Sequence, residues 1–81
     1  MYHFYVLKSL KTGLLYKEHS EDVFLRLRQH DRGTTRSTRS GVPWVLAYCE
    51  DFTGRADAVK RERYFKSLKG GKELRGILGT C

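Results

Sequence analysis

One segment, Leu15–Asp31, constrains the fold more than any other, because its hydrophobic period changes from that of a strand to that of a helix. It begins with leucine and tyrosine, which suit a pleated and half-buried strand. Ser20 is a good helix N-cap, and the two acidic residues after it favour the positive end of a helix. Val23 and Leu27 are four residues apart and therefore stack on one helix face. The segment predicts a strand, a capped turn and an amphipathic helix.

Two polar residues of this helix, Arg26 and His30, lie just beside its apolar seam, because they are also four residues apart. A cation and an imidazole next to a buried face, close to the strand residue Tyr16, are typical of the wall of a phosphate site. The same pattern fits two ordinary groups on a helix surface. Helix geometry alone favours the second interpretation.

A hairpin between the first two strands predicts that Tyr5 and Tyr16 share one side of the sheet. Strand alternation puts His3, Tyr5 and Leu7 on one face, and the glycine-ended turn 9–13 leads into the second strand. Each tyrosine taken alone fits an amphipathic core position, with the ring inside and the hydroxyl at the edge.

The remaining periodicity predicts an α+β fold with a three-stranded antiparallel sheet flanked by helices. The third strand has apolar residues on both faces, which predicts a central strand covered on both sides, and its alternation puts Trp44, Leu46 and Tyr48 together. The glycine pair 70–71 is expected to end the second helix, and Gly79 the third. The predicted elements are strands near 2–8, 13–18 and 43–50 and helices near 21–31, 54–69 and 72–78, in a single domain spanning 1–81.

The charge balance is strongly positive, since sixteen lysine and arginine residues stand against nine acidic residues and give a net charge of +7. Such an excess favours a polyanionic partner, most simply nucleic acid. We expect neither a membrane span nor a signal peptide, because no apolar run has the required length. Cys49 and Cys81 are expected to be free thiols in a reducing compartment, which favours a cytoplasmic protein. Neither cysteine has metal-knuckle spacing, so no zinc site is expected.

The segment 31–41, here called the arginine loop, contains no apolar residue and three arginines, Arg32, Arg36 and Arg39. One interpretation is a solvated, mobile loop. The other is contact with a phosphate backbone, which uses guanidinium groups interleaved with hydroxyls such as that of Thr38. The net positive charge is consistent with phosphate contact, and readout of bases is not implied.

A glutamate inside the apolar stripe of the second helix needs an explanation, because an unpaired buried carboxylate is costly. Glu62 shares this stripe with Ala58 and Phe65. A nearby cation, such as Arg61 or Arg26, is one explanation, and a bound metal is the other. The residues alone leave both open.

Four features in this order make the chain resemble a GIY-YIG domain, and more narrowly the small stand-alone bacterial GIY-YIG proteins. They are the strand Phe4–Leu7, the strand Leu15-Tyr16, the helix with Arg26 and His30, and the helix with Lys60-Arg61-Glu62. The likeness covers roughly residues 2–78. The second signature normally reads Tyr-Ile-Gly and here reads Tyr16-Lys17-Glu18. The chain also lacks asparagine, which some branches of the family use in the site.

The resemblance implies a metal-dependent endonuclease that hydrolyses DNA phosphodiester bonds, in a setting such as DNA repair or recombination. It implies that Glu62 binds one divalent ion, Mg²⁺ or Mn²⁺, and that Tyr5 and Tyr16 handle the attacking water. It also implies that Arg26 holds the phosphate and that His30 assists proton transfer or positioning. The residues expected to contact nucleic acid are Arg32, Arg36, Thr38, Arg39, Lys60 and Arg63.

Glu18 stands where the family usually has glycine, on the strand face that carries Tyr16. Its carboxylate can repel and crowd a phosphate, or it can serve as an extra metal ligand. We expect repulsion and crowding to dominate, because a glycine position is closely packed. The alternative function is therefore a catalytically impaired nucleic-acid-binding module with the same fold.

The expected partner is DNA, and RNA is a further candidate. A membrane is not an expected partner. The chain is expected to be a monomer or a weak homo-oligomer. The apolar helix residues Phe24 and Leu25, expected on the outer surface, are the feature that would recruit a partner subunit.

Overall fold

A computed structural model of the chain describes residues 1–78. The elements follow the order β1 (Tyr2–Ser9), β2 (Leu15–Ser20), α1 (Val23–Asp31), a short 3₁₀ helix (Arg39–Gly41), β3 (Trp44–Phe52), α2 (Arg55–Lys66) and α3 (Leu68–Leu78). The strands form one antiparallel sheet in the order β2-β1-β3. The predicted α+β class is confirmed. The expected helix end at Gly79 and the expected free thiol of Cys81 lie outside the described residues.

β1 is the central strand, and its alternating side chains fill both halves of the core. The half on the side of α2 and α3 contains the fully buried residues Phe4, Val6, Phe65 and Leu74. The half on the side of α1 contains the buried residues Tyr5, Leu7, Val23 and Trp44. The prediction that the third strand is central is wrong, because β1 pairs on both sides and leaves β3 at the sheet edge. No helix among residues 1–78 has the length and apolar character needed to cross a membrane.

A β-bulge in β3 changes which of its side chains face each half of the core. Leu7 pairs with Leu46, whereas the preceding residue of β1 pairs with Tyr48, so Ala47 is an extra residue between the two pairs. Leu46 therefore packs in the α1 half and Tyr48 in the other half. The predicted common face for Trp44, Leu46 and Tyr48 is wrong, because strict alternation does not anticipate the extra residue.

Turn and cap chemistry places the starts of β2 and α1 later than the sequence predicts. The hydroxyl oxygen of Ser9 accepts backbone N–H groups two and three residues on, at 3.2 and 3.0 Å, and Gly13 has a φ of +78°. This turn delays β2 to residue 15. The N-cap of α1 is Asp22 rather than Ser20, because the Asp22 carboxylate accepts the backbone N–H of Leu25 at 3.0 Å.

The boundary between α2 and α3 lies at Ser67 and not at the glycine pair. Ser67 is extended, with φ −73° and ψ 163°, and its hydroxyl oxygen accepts the backbone N–H of Gly70 at 3.1 Å. Gly70 and Gly71 are buried inside α3, and a Cβ on Gly70 would lie 1.8 Å from the carbonyl oxygen of Tyr64. Glycine therefore permits the close approach of α3 to α2, and the prediction that the pair ends the second helix is wrong.

Replacing Gly70 with alanine is expected to destabilise the fold by about 1–3 kcal/mol, because the added methyl group overlaps the backbone of α2. Gly76 is the matched control, since it also lies in α3 and a Cβ there would meet no atom within 4 Å. Gly76→Ala is expected to stabilise the protein by up to about 1 kcal/mol. Urea unfolding measures both variants. A Gly70→Ala variant as stable as the wild type would contradict the close approach.

Candidate active site

The Glu18 carboxylate lies at the centre of the candidate active site. The pairing of β1 with β2 places Tyr5 directly opposite Glu18, and strand alternation puts Tyr16 on the same face, two residues earlier. The Tyr5 hydroxyl donates to Oε1 of Glu18 at 2.6 Å. The Tyr16 hydroxyl donates to Oε2 at 2.7 Å. The hairpin therefore brings both tyrosines to one anion.

Arg26 completes this arrangement from α1. Its Nε lies 2.9 Å from Oε1 of Glu18 and its Nη2 lies 3.1 Å from Oε2, so the guanidinium binds both carboxylate oxygens. Nη1 donates to the side-chain oxygen of Gln29 at 2.7 Å. Such a planar fork suits carboxylates and phosphates equally. We call Tyr5, Tyr16 and Arg26 the anion site.

The protonation states follow from burial and from these contacts. Burial favours a raised pKa for Glu18, but the hydrogen bonds from Arg26, Tyr5 and Tyr16 outweigh it and lower the pKa to about 2. Burial, and then the bond to Glu18, raises the pKa of Tyr16 to about 12 and also raises that of Tyr5. At neutral pH the site therefore contains an ionised carboxylate and two protonated phenols.

His30 is fully buried behind the anion site. Its ring packs on that of Tyr16, with centroids 4.7 Å apart, and its Nδ1 lies 2.7 Å from the Thr38 hydroxyl. Burial, and then the charge of Arg26, lowers the pKa of His30, so the imidazole is neutral. Among the described residues its Nε2 has no hydrogen-bond partner. His30 thus contacts the site through the ring of Tyr16.

Glu62 lies on the other side of the edge strand β2. Alternation turns His19 of β2 towards α2, where its Nδ1 lies 2.8 Å from Oε1 of Glu62, and Lys66 donates to Oε2 at 2.9 Å. Of the two pairings considered from the sequence, neither is present: Arg61 binds Glu50 at 2.7 and 3.0 Å, and Arg26 binds Glu18. The negative charge of Glu62 still contributes to the raised pKa of Tyr16.

The donors around Glu62 fit a hard divalent ion. Burial favours a raised pKa for Glu62, but Lys66 and His19 outweigh it and lower the pKa, so the carboxylate is ionised. Lys66 is 53% exposed and can turn into solvent, which would release one carboxylate oxygen. Mg²⁺ is commonly bound through one or two carboxylates, substrate phosphates and several waters. Glu62 can serve as that carboxylate, and the His19 imidazole is the nearest second donor.

The predicted nucleic-acid residues divide into an exposed group and one buried exception. Thr38 is 1% exposed, and its carbonyl oxygen accepts the indole N–H of Trp44 at 2.8 Å. Its side chain is therefore held inside the protein and not on the surface, contrary to the sequence prediction. The exposed residues, which form no ion pair within residues 1–78, are Arg32, Arg36, Arg39, Lys60 and Arg63.

Sequence reasoning missed the contacts of His19 and Gln29. The signal for His19 was present, because strand alternation places it on the face opposite Tyr16, towards the second helix. Gln29 follows Arg26 by three residues on one helix, which is the spacing of neighbouring side chains. The structure therefore brings Tyr5, Tyr16 and Arg26 together around Glu18, whereas Glu62 contacts a different side of β2.

Most of this chain is similar in sequence or in structure to known proteins. Residues 1–74 match the family model described as the GIY-YIG catalytic domain. The chain is 37% identical over 77 residues to a UPF0213 protein of Bacillus licheniformis, covering 94% of this chain and 78% of the relative. It is 33% identical over 76 residues to a UPF0213 protein of Staphylococcus aureus, covering 93% of each. The solution NMR structure of a UPF0213 protein from Bacillus halodurans matches with a TM-score of 0.56 and 25% identity, covering 99% of this chain and 88% of that one. With its two signature tyrosines, its helix arginine and its matching relatives, the chain belongs to the GIY-YIG family of nuclease domains.

Proposed function

We propose that this protein is a divalent-metal-dependent endonuclease that hydrolyses DNA phosphodiester bonds. We also propose that the Glu18 carboxylate occupies the phosphate site when no DNA is bound. The observation that carries this proposal is the set of four hydrogen bonds that the anion site donates to one carboxylate. A site that binds a carboxylate in this way has the donors and the positive charge that a phosphate requires. Membership in a nuclease family supports assigning that phosphate to nucleic acid.

Arg26 would bind the phosphate once the Glu18 side chain has moved away. Its guanidinium is anchored at Nη1 by Gln29, so the remaining N–H groups keep their direction when the bound anion changes. A preorganised positive group of this kind stabilises negative charge that develops on a phosphate in the transition state. The positive charge is permanent, because the Glu18 contact raises the pKa of Arg26 further.

Tyr5 and Tyr16 would act as hydroxyl donors rather than as bases. Their raised pKa values keep both phenols protonated at neutral pH, so each can orient a phosphate oxygen or the attacking water. His30 would act as a positioning residue, because its neutral imidazole is buried against the ring of Tyr16. A fixed ring behind Tyr16 limits the directions in which the hydroxyl can point.

Glu62 would hold the divalent ion, with His19 beside it. Its ionised carboxylate is partly exposed, and its partner Lys66 is free to move into solvent. When bound, Mg²⁺ or Mn²⁺ stabilises charge on the phosphate and on the leaving oxygen. The protein's own part is to keep the carboxylate deprotonated and directed towards β2, the strand that also carries Tyr16.

The same carboxylate favours a second candidate, a nucleic-acid-binding module that keeps the fold without cleavage. Glu18 engages both phenols and the guanidinium fork, and its pKa of about 2 keeps it charged at physiological pH. An incoming phosphate would then meet a like charge. The exposed cations of the arginine loop and of α2 do not depend on Glu18 and would still bind a phosphate backbone.

Removing the Glu18 carboxylate is expected to raise the cleavage rate at least about tenfold, because two like charges about 4 Å apart near a protein surface repel by about 4 kcal/mol. Glu18→Gly removes both charge and volume, whereas Glu18→Gln removes the charge and keeps the volume. Initial rates on labelled branched, flapped and linear DNA and on RNA, with Mg²⁺ or Mn²⁺, measure the effect. A lower rate for Glu18→Gly would show that Glu18 is a working ligand.

Replacing Glu62 with glutamine in the Glu18→Gly background is expected to lower metal-dependent cleavage at least about 100-fold, the scale of losing one electrostatic contact to a transition state. Lys66→Ala is the matched control, because it removes the contact at the same carboxylate but leaves the proposed ligand. DNA binding without metal should change little in either variant. If Glu18→Gly shows no cleavage on any substrate but binds DNA, the binding-module candidate is favoured.

DNA binding is expected to weaken steeply with salt and to show little sequence preference, because phosphate contacts release counterions. Removing the exposed cations Arg36 and Arg39 together should weaken binding to every sequence and reduce the slope of log affinity against log salt by about 2. Lys72→Ala on α3 is the control, since it removes an exposed charge that is not among the residues expected to contact nucleic acid. Fluorescence anisotropy at several salt concentrations provides the measurement. A slope unchanged in the double variant would exclude the arginine loop as the contact surface.

A further inference from the structure

A second group of ligand-type side chains lies outside the candidate active site, on the pair β1 and β3. His3 and Asp51 are direct cross-strand partners, and Cys49 precedes Asp51 by two residues on the same face. The nitrogen, sulfur and oxygen atoms of the three side chains all lie within 4.8 Å of one another. His3 Nδ1 is 2.6 Å from Oδ1 of Asp51, and Cys49 Sγ is 3.8 Å from the same oxygen.

We propose that His3, Cys49 and Asp51 form a site for a borderline-soft divalent ion of the zinc class, with water in the fourth position. Imidazole, thiolate and carboxylate are the ligands that Zn²⁺ takes, and its geometry is tetrahedral. Metal–ligand bonds of about 2.0–2.3 Å place tetrahedral ligands roughly 3.3–3.6 Å apart. The Cys49–Asp51 contact is already close to that separation, and the hydrogen-bonded His3–Asp51 pair must open by less than roughly 1 Å.

The surroundings of these residues favour a cation. They line a depression of about 230 Å³ together with the carboxylates of Glu21 and Asp22 and with three apolar side chains, and none of the described lysine or arginine residues contributes to its lining. The apolar lining residues are Val23, Phe24 and Leu46. The chain contains sixteen lysine and arginine residues against nine acidic ones. A depression with three carboxylates and no basic side chain other than His3 therefore differs from the positive charge of the chain as a whole. Asp22 already caps α1, and therefore supplies negative potential rather than a ligand.

Binding of the ion would release protons. Burial, and then Asp51, raises the pKa of Cys49, so the metal-free side chain is a neutral thiol. The metal–sulfur bond forms as the thiol proton leaves, and His3 binds through a neutral nitrogen while Asp51 binds as a carboxylate. No electron is transferred.

This site differs in chemistry and position from the one proposed at Glu62. Glu62 offers a hard oxygen ligand on the side of α2, whereas the cluster contains sulfur and lies on the side of α1. It joins the central strand to the edge strand beyond the bulge, and Tyr5 is the cross-strand partner of Cys49. An ion here would fix the strand pair that carries Tyr5.

Cobalt(II) titration tests the site, because a cobalt–thiolate bond has a charge-transfer absorption in the near ultraviolet. The full chain, reduced and free of chelator, should show this band, and Zn²⁺ should abolish it by displacement. Cys49→Ser should remove the band and His3→Ala should weaken Co²⁺ binding at least tenfold. Cys81→Ser is the matched control for thiol binding and should leave the band intact, as should Glu62→Gln.

Thermal unfolding provides a second test, and this test does not require the Cys49→Ser variant to fold. The comparison is made in the Glu62→Gln background, which removes the carboxylate of the other proposed ion site. In that background Zn²⁺ should raise the Tm of the parent and of the Cys81→Ser variant, and should not raise that of the His3→Ala variant. The site is refuted if wild type shows no thiolate band, or if the band is lost in Cys81→Ser and kept in Cys49→Ser. An equal Tm rise with and without His3→Ala in the Glu62→Gln background would also refute it.

Discussion

The contact between Glu18 and Arg26 joins helix α1 to two paired strands, β1 and β2, that it otherwise contacts through few side chains. Glu18 belongs to the edge strand β2, Tyr5 to the central strand and Arg26 to α1, and one carboxylate accepts hydrogen bonds from all of these elements. Helix α1 buries only Val23 and His30, so its position depends on this polar contact as well as on apolar packing. The groups that the proposed chemistry needs are therefore the groups that hold the helix against the sheet.

The two departures in the second family signature affect opposite sides of the sheet. Strand alternation sends Glu18 towards α1 and Lys17 towards α2. The ammonium group of Lys17 donates to the carbonyl oxygen of Phe65 at 2.9 Å, near the C-terminal end of α2, where a cation complements unpaired carbonyl groups. Lys17 therefore adds a helix contact on one side of the sheet, and Glu18 adds an anion on the other.

Local periodicity predicted much of the fold, because most elements here depend on nearest neighbours in the sequence. The shared face of Tyr5 and Tyr16, and the position of Arg26 beside the helix seam, follow from periods of 2 and 3.6. The bulge at Ala47 depends on pairing between distant strands, so periodicity alone did not reveal it. The helix boundary at Ser67 is local, but it depends on a capping hydroxyl and on a close approach of two helices, neither of which a hydrophobic period encodes. The contact of Glu62 with His19 was missed because 43 positions separate the two residues. Its contact with Lys66 has the local spacing of four residues.

The position of Glu18 also has a consequence for the size of ligand that the anion site accepts. A side chain tethered beside its own binding site acts as a competitor at an effective concentration on the order of millimolar or higher. Inorganic phosphate or a mononucleotide at a lower concentration would not displace it. A polymer that first occupied the arginine loop, the contact surface proposed above, would gain the same intramolecular advantage and would compete on equal terms. The built-in carboxylate would thus make the site respond to chain length rather than to phosphate itself.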